Sequence, residues 1–230
     1  MFRPRPELDE GIRARVARWR ETPQPSSSTP LGAARLVVVD VETTGPNAQK
    51  SELLSVGLVP VGPGGVELGG MEEIVLRWEH RHIDKENLVV HGISPTESSA
   101  GLEPCEALTR VLEHVGKHWL VAFRADFDRR VLGRSLRQRL GVRLHNPFLD
   151  VAMLLPGLYP EGTAGLQSLD DWLGYFGIPA PARHRASADA LVTAQLLLLV
   201  LARARRLRDP DLAALAGIGR AQSRLRRMRL

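Results

Sequence analysis

Three short stretches gather residue types suited to metal-assisted hydrolysis. The first is Asp40-Val41-Glu42-Thr43-Thr44-Gly45, which closes an apolar, β-branched run. Residues i and i+2 of a strand share a face, so Asp40 and Glu42 project side by side. Two adjacent carboxylates repel one another, and a divalent cation relieves the repulsion. Oxygen-only ligands select hard ions such as Mg²⁺ or Mn²⁺. Val41 points the other way, into a core, and Gly45 suits a sharp turn or a close approach to the backbone. Taken alone, the same residues also describe an ordinary strand end.

The second stretch, Phe123-Arg124-Ala125-Asp126-Phe127-Asp128, follows another apolar run. Asp126 and Asp128 are both candidates, although acids at a helix start are also what the helix dipole favours. The third, His184-Arg185-Ala186-Ser187-Ala188-Asp189, opens a long helical pattern. A histidine just before a helix can swing over a site to which the helix contributes a carboxylate. Ser187 or a neighbour would cap that helix.

The elements that must position these groups follow from periodicity. Leu8, Ile12, Val16 and Trp19 recur at helical intervals, and a Pro/Ser-rich segment runs from Thr22 to Pro30. Leu36 to Val41 reads as a buried strand. Leu53 to Val61 and Val66 to Trp78 read as two more, joined by a turn at Gly62-Pro63-Gly64-Gly65. Further on, Cys105 to Val115, Arg129 to Leu140, Gly165 to Tyr175 and Ser187 to Ala204 read as helices, with Gly141 ending the second. Trp119 to Phe123 and Pro147 to Val151 read as strands. Antiparallel strands followed by alternating strands and helices predict an α/β domain with a mixed sheet. The expected organisation is an N-terminal helix and linker over 1–34, one domain over 35–205, and a basic tail over 206–230.

The 230 residues are 43% hydrophobic and 25% charged, proportions of a globular protein able to bury a core. Cys105 is the only cysteine, which excludes an internal disulfide and a cysteine zinc cluster. A reducing, cytoplasmic setting is therefore expected. The longest apolar run, Leu196 to Leu201, is too short to cross a bilayer, and the first residues lack the apolar stretch of a signal peptide, so no membrane partner is expected. The net charge is +5 and the pI about 10.1, which suits a polyanionic partner. Positive charge concentrates between Leu201 and Leu230, where nine arginines face two aspartates. That segment reads equally as a solvated helical tail or as a nucleic-acid contact.

The ordered set of motifs resembles the DEDDh, or DnaQ-like, 3′→5′ exonucleases of the ribonuclease-H-like superfamily. Asp40-Val-Glu42-Thr-Thr-Gly45 resembles the family's opening block, and Arg183-His184-Arg-Ala-Ser-Ala-Asp189 its closing block. Val90-His91-Gly92-Ile93, Phe148-Leu149-Asp150 and the stretch Gly165 to Ile178 resemble intermediate segments. The likeness covers residues 35 to about 203. It departs at Phe123-Arg124, where the family usually has His-Asn, although the Phe127-Asp128 end is kept.

The resemblance implies a ribonuclease-H-like mixed β-sheet flanked by helices, here with an N-terminal helical extension. It implies phosphodiester hydrolysis at 3′ ends of single-stranded DNA or RNA, DNA favoured, with two Mg²⁺ or Mn²⁺ ions per site. Asp40, Glu42, Asp128 and Asp189 would hold the metals, and His184 would act as general base. Thr43, Thr44 and His91 would lie near the terminal nucleotide, and Asp150 would support the site from behind. Leu88, Phe127 and Phe148 read either as stacking residues or as core. A polymerase partner in DNA replication, a freestanding role in repair, and a homodimer all remain open. The alternative is a nucleic-acid-binding module that keeps the fold and has lost the chemistry.

Overall fold

The computed structural model describes residues 7–78, 93–161, 163, 165–180, 183–207 and 210–228. Helix α1 (Glu10–Glu21) begins where Asp9 accepts a hydrogen bond from the Ile12 N–H. Strands β1 (Leu36–Thr43), β2 (Leu53–Gly62), β3 (Gly65–Val66) and β4 (Glu72–Val75) follow. Then come α2 (Pro95–Ala100), α3 (Pro104–Val115), β5 (Trp119–Ala122), α4 (Asp126–Leu140), β6 (Phe148–Asp150) and α5 (Val151–Leu158). The chain continues through α6 (Leu169–Phe176), α7 (Ala186–Ala204) and α8 (Leu212–Met228).

The six strands form one mixed sheet in the order β3-β2-β1-β5-β6, with β4 also on β2. β1 is antiparallel to β2 and parallel to β5, and β5 is parallel to β6. The C-terminal ends of β1, β5 and β6 therefore lie on one side of the sheet. This is the ribonuclease-H-like mixed sheet the sequence led us to expect.

Strand alternation divides β1 between two cores. Leu36 and Val38 pack with α5, α7 and α8 on one face. Val37, Val39 and Val41 pack with α1, α3 and α4 on the other. Asp40 and Glu42 share the parity of Val38, so they emerge under α7. Helix α7 is apolar enough by length and hydropathy to cross a membrane, but 56% of that window is buried inside the fold and it carries Asp189.

Several expectations are corrected. The strand expected over Val66 to Trp78 is broken by a 3-10 turn at Leu68–Gly70. β3 pairs with Val61 and Gly62, while β4 pairs with Ser55 to Leu58, so the turn takes up residues that one register cannot hold. Helix α6 starts at Leu169, because Ser168 and Asp171 form a reciprocal capping box. Ser187 does not cap α7: the cap position is Arg185, with no side-chain cap bond. Helix α4 begins at Asp126, not at the expected Arg129, while its end at Leu140 is as expected, with Gly141 capping it in the left-handed region at a φ of 62°.

The flanking segments join the same cores. Trp19 is buried, and its indole N–H donates to the Gly116 carbonyl at 2.6 Å. The segment before β1 runs through two turns against the start of α8: the Leu31 N–H donates to the Pro210 carbonyl, and the Leu212 and Ala213 N–H groups donate to the Thr29 and Ser27 carbonyls. Leu212 and Leu215 are each 1% exposed in the core under α7.

Candidate active site

Asp40 pairs with Gly57 across the β1–β2 ladder, and Gly57 pairs with Glu73 of β4. This row of three sets the floor of the site. Gly57 has no side chain, and the backbone of Ala186 fills the space: a Cβ built there would lie 2.1 Å from the Ala186 carbonyl carbon. The first turn of α7 thus rests on the sheet. Asp189, one turn on, reaches the strand-end pair. One carboxylate oxygen each from Asp40, Glu42 and Asp189 lie within 4.8 Å of one another.

The loop into α7 is held by two arginines. Arg183 ion-pairs with Asp189 and, through Nε, with Asp170 at 2.9 Å. Arg185 bridges Glu97 at 2.8 Å and Glu73 at 3.3 Å, and the Ser187 hydroxyl donates to Glu73 at 2.6 Å. His184 sits between these anchors with a φ of +64°, a conformation that L residues adopt sparingly and that functional sites often hold. Its backbone N–H donates to Asp189 at 3.3 Å, and its side chain is exposed at the mouth of the site.

Asp128 enters from the first turn of α4. It is 4% exposed, and the backbone N–H groups of Val41 and of Asp128 itself favour its charged form against the burial. Asp126 instead ion-pairs with Arg129 and Arg130 on the surface, so only Asp128 faces the carboxylates. Asp150 caps α5 through the Ala152 N–H and accepts the Arg124 N–H, both at 3.0 Å. It thereby fixes the loop that delivers Asp128, and Arg124 in that loop has a φ of 60°.

The charges in this cleft oppose one another. Burial raises the Asp40 carboxyl well above its ordinary range, and Asp128, Asp189 and Glu42 raise it further, against the pull of Arg183. Burial pushes Asp128 up to about 8, opposed by its backbone donors and aided by Asp150 and Glu42. Burial also raises Asp189, which Arg183 partly offsets. Such a set of buried carboxylates is what a hard divalent cation neutralises.

The remaining expected residues are placed as follows. Thr43 is buried, and its hydroxyl donates to the Gly45 carbonyl at 2.7 Å. The Thr44 N–H donates to the Glu52 carbonyl, and the Thr44 hydroxyl accepts the Glu52 N–H. Phe127 and Phe148 pack against the core. His91 and Leu88 lie outside the described residues. Gly57, Glu73, Arg183 and Arg185 were not singled out for the site by sequence reading. Gly57 of β2 and Glu73 of β4 stand in unremarkable strands, and only the sheet register brings them beneath α7.

The family model described as Exonuclease (RNase T) matches residues 37–197. The chain is 31% identical over 176 residues to the PolC-type DNA polymerase III of Thermotoga maritima, covering 75% of this chain and 12% of that protein. It is 28% identical over 167 residues to DNA polymerase III subunit epsilon of Aquifex aeolicus, covering 72% of this chain and 79% of that protein. Among solved structures, E. coli exonuclease I in complex with a dT13 oligonucleotide superposes with a TM-score of 0.64 at 21% identity, over 75% of this chain and 42% of that one. Exonuclease X in complex with 5′ overhanging duplex DNA superposes with a TM-score of 0.59 at 21% identity, over 78% and 98%. At these identities the structural likeness is one of fold.

Proposed function

The chain belongs to the RNase T exonuclease family, and on that premise we propose that it removes nucleotides from the 3′ end of single-stranded nucleic acid, DNA in preference to RNA, with two Mg²⁺ or Mn²⁺ ions. The observation that carries this reading is the meeting of Asp40, Glu42 and Asp189 within 4.8 Å, with buried Asp128 beside them. The donor set is oxygen only and self-repelling, so it fits hard divalent ions. Asp40, Glu42, Asp128 and Asp189 would hold them. Bound metal would supply an activated water and charge neutralisation at the scissile phosphate.

The chain's own groups do the rest. His184, exposed at the mouth and pinned by the Arg183 and Arg185 anchors, takes the proton from the attacking water. Asp150 positions the Asp128 loop through its bond to the Arg124 N–H. Thr43 and Thr44, at the end of β1, border the terminal nucleotide. Exonuclease I, of the same fold, is seen with a dT13 oligonucleotide, which supports a single-stranded DNA substrate here. Similarity to PolC-type polymerase and to the epsilon subunit supports a polymerase-linked role in DNA synthesis. We assign the exonuclease unit to residues 35–205, with 1–34 and 206–230 as flanking additions.

The test offers 5′-labelled linear DNA, matched RNA and circular single-stranded DNA with Mn²⁺. A ladder shortening from the 3′ end, faster on DNA, with the circle intact, is expected. Cleavage of the circle, or linear strands left at full length, would overturn the reading.

A further inference from the structure

The C-terminal helix carries a charge excess that the fold does not use. From Leu212 to Met228 it contains no carboxylate, and Arg220, Arg224, Arg226 and Arg227 are exposed. Among the described residues, none of the four is in a salt bridge. The helix dipole favours cations only in the last turn, where Arg226 and Arg227 stand; Arg220 and Arg224 lie outside it.

Packing decides where this charge lies. Gly157 of α5 sits against Ile218 and Gln222, and Gly219 sits against Leu154. Ala152 and Met153 in the first turn of α5 line one cavity with Gln222, Leu225 and Arg226, so the last turns of α8 reach the first turn of α5. That turn follows directly from β6, so the arginines stand beside the C-terminal end of the sheet, where the carboxylates are. The packed stripe Leu212, Leu215, Gly219, Gln222 follows helical spacing and ends at Arg226. Burial raises the Asp150 carboxyl, and nearby Arg226 is among the groups that offset the rise. A cavity of about 530 Å³ opens here, lined by Met153, Pro156, Gln167, Gln222, Leu225 and Arg226. Arg124, at the end of β5, extends its guanidinium to the Gln167 carbonyl at 3.1 Å on the rim of the same cavity.

β1, β5 and β6 are successive strands about 4.8 Å apart. Asp40 and Glu42 close β1, Arg124 follows β5, and Arg226 stands near Asp150 at the end of β6, so the three lie in the order of the strands. We infer that Arg124, Arg226 and the neighbouring Arg224 and Arg227 form a phosphate track that holds the strand upstream of its 3′ end, so that α8 is part of the substrate interface. This rests on the exonuclease reading for the strand's polarity. The occupant is the sugar–phosphate backbone, because the track is cationic, follows the line of the strand ends and terminates at the hydrolytic site. Leu225 and Met228 are 46% and 82% exposed, which makes an anionic membrane surface the competing occupant.

The experiment measures fluorescence anisotropy of a labelled thymidine dodecamer and a labelled dinucleotide in EDTA, across a salt series. For Arg224→Gln/Arg226→Gln/Arg227→Gln, dodecamer affinity should fall ~10-fold or more, and its advantage over the dinucleotide should shrink. Each lost single-strand contact flattens the salt slope by ~0.7, so three should flatten it by ~2. The triple lysine variant should restore most of the affinity, which separates lost charge from lost folding. Unchanged affinity and slope in the glutamine variant would overturn the track. So would loss of binding to vesicles with anionic lipid while dodecamer affinity stays at the wild-type value. Binding in EDTA needs no hydrolysis, so a wild-type protein that never shortens a strand with Mn²⁺ would sink the exonuclease reading while anisotropy still decides the track.

Discussion

Gly57 of β2 lies directly beneath Ala186 of α7, so close that a single added methyl group would lie 2.1 Å from the Ala186 carbonyl carbon. This contact sets the height of the α7 start above the sheet. It is why Asp189 meets Asp40, the residue paired with Gly57 in the ladder.

Gly57→Ala should lift the first turn of α7 by an ångström or more. Misplacement on that scale costs about 10²-fold in rate. The variant should trim strands at ~1% of the wild-type rate and bind Mn²⁺ more weakly in a titration. Gly64→Ala is the control, since open space surrounds Gly64. Equal trimming by wild type and the Gly57 variant would refute the role of the contact.

His184→Ala and Asp189→Asn should separate proton transfer from metal binding. Loss of a general base typically costs 10²–10⁴-fold. We expect that loss for His184→Ala with Mn²⁺-induced thermal stabilisation retained. Asp189→Asn should lose both activity and that stabilisation. A histidine variant that also loses the metal response would place His184 in the wrong role.

The carboxylate cluster should make stability depend on pH in the absence of metal. Asp40 and Asp128 have folded-state pKa values raised above 3.8, Asp128 to about 8. The folded state therefore holds protons that the unfolded state releases, and stability falls as pH rises from about 4 to about 8. Glu97 works the other way, lowered to about 2 by Arg185 and the Ser94 cap, so it contributes stability lost below the unfolded carboxylate range. Melting temperatures in EDTA should decline across the upper window, and Mn²⁺ should flatten the decline. A flat profile in EDTA would mean the carboxylates ionise without mutual cost.

Trp19→Ala should destabilise the whole domain. Trp19 is 6% exposed, bonds the Gly116 carbonyl and lies under the Lys117 ammonium, 3.2 Å from the ring centroid. Truncating a buried Trp costs ~3–5 kcal/mol. Urea unfolding should show that loss in a single transition. A loss under 1 kcal/mol would make α1 a detachable appendage.

Much of the site was legible because its parts are local. Asp40 and Glu42 share a face through strand alternation alone. Asp128 and Asp189 stand at helix starts that punctuation marks out. The sheet followed from β-branched runs and the turn at Gly62–Gly65. Other parts were not legible. Asp126 and Asp128 look alike in sequence, and only the direction of α4 turns one to Arg129 and Arg130 and buries the other. The 201–230 segment reads equally as a solvated tail or a nucleic-acid contact, and its many arginines hide the apolar residues Leu212 and Leu215 that dock the start of α8 in the core.

The sequence by itself determined which groups carry charge and on which face of each strand or helix they stand. Those choices rest on periodicity and on the φ/ψ preferences of neighbouring residues. Tertiary structure alone decided the distances: that Gly57 lets α7 settle on the sheet, that Arg185 ties its loop to Glu73 and Glu97, and that α8 returns along α5 to the strand ends. These contacts join residues far apart in the chain, and long-range packing, not local preference, sets them.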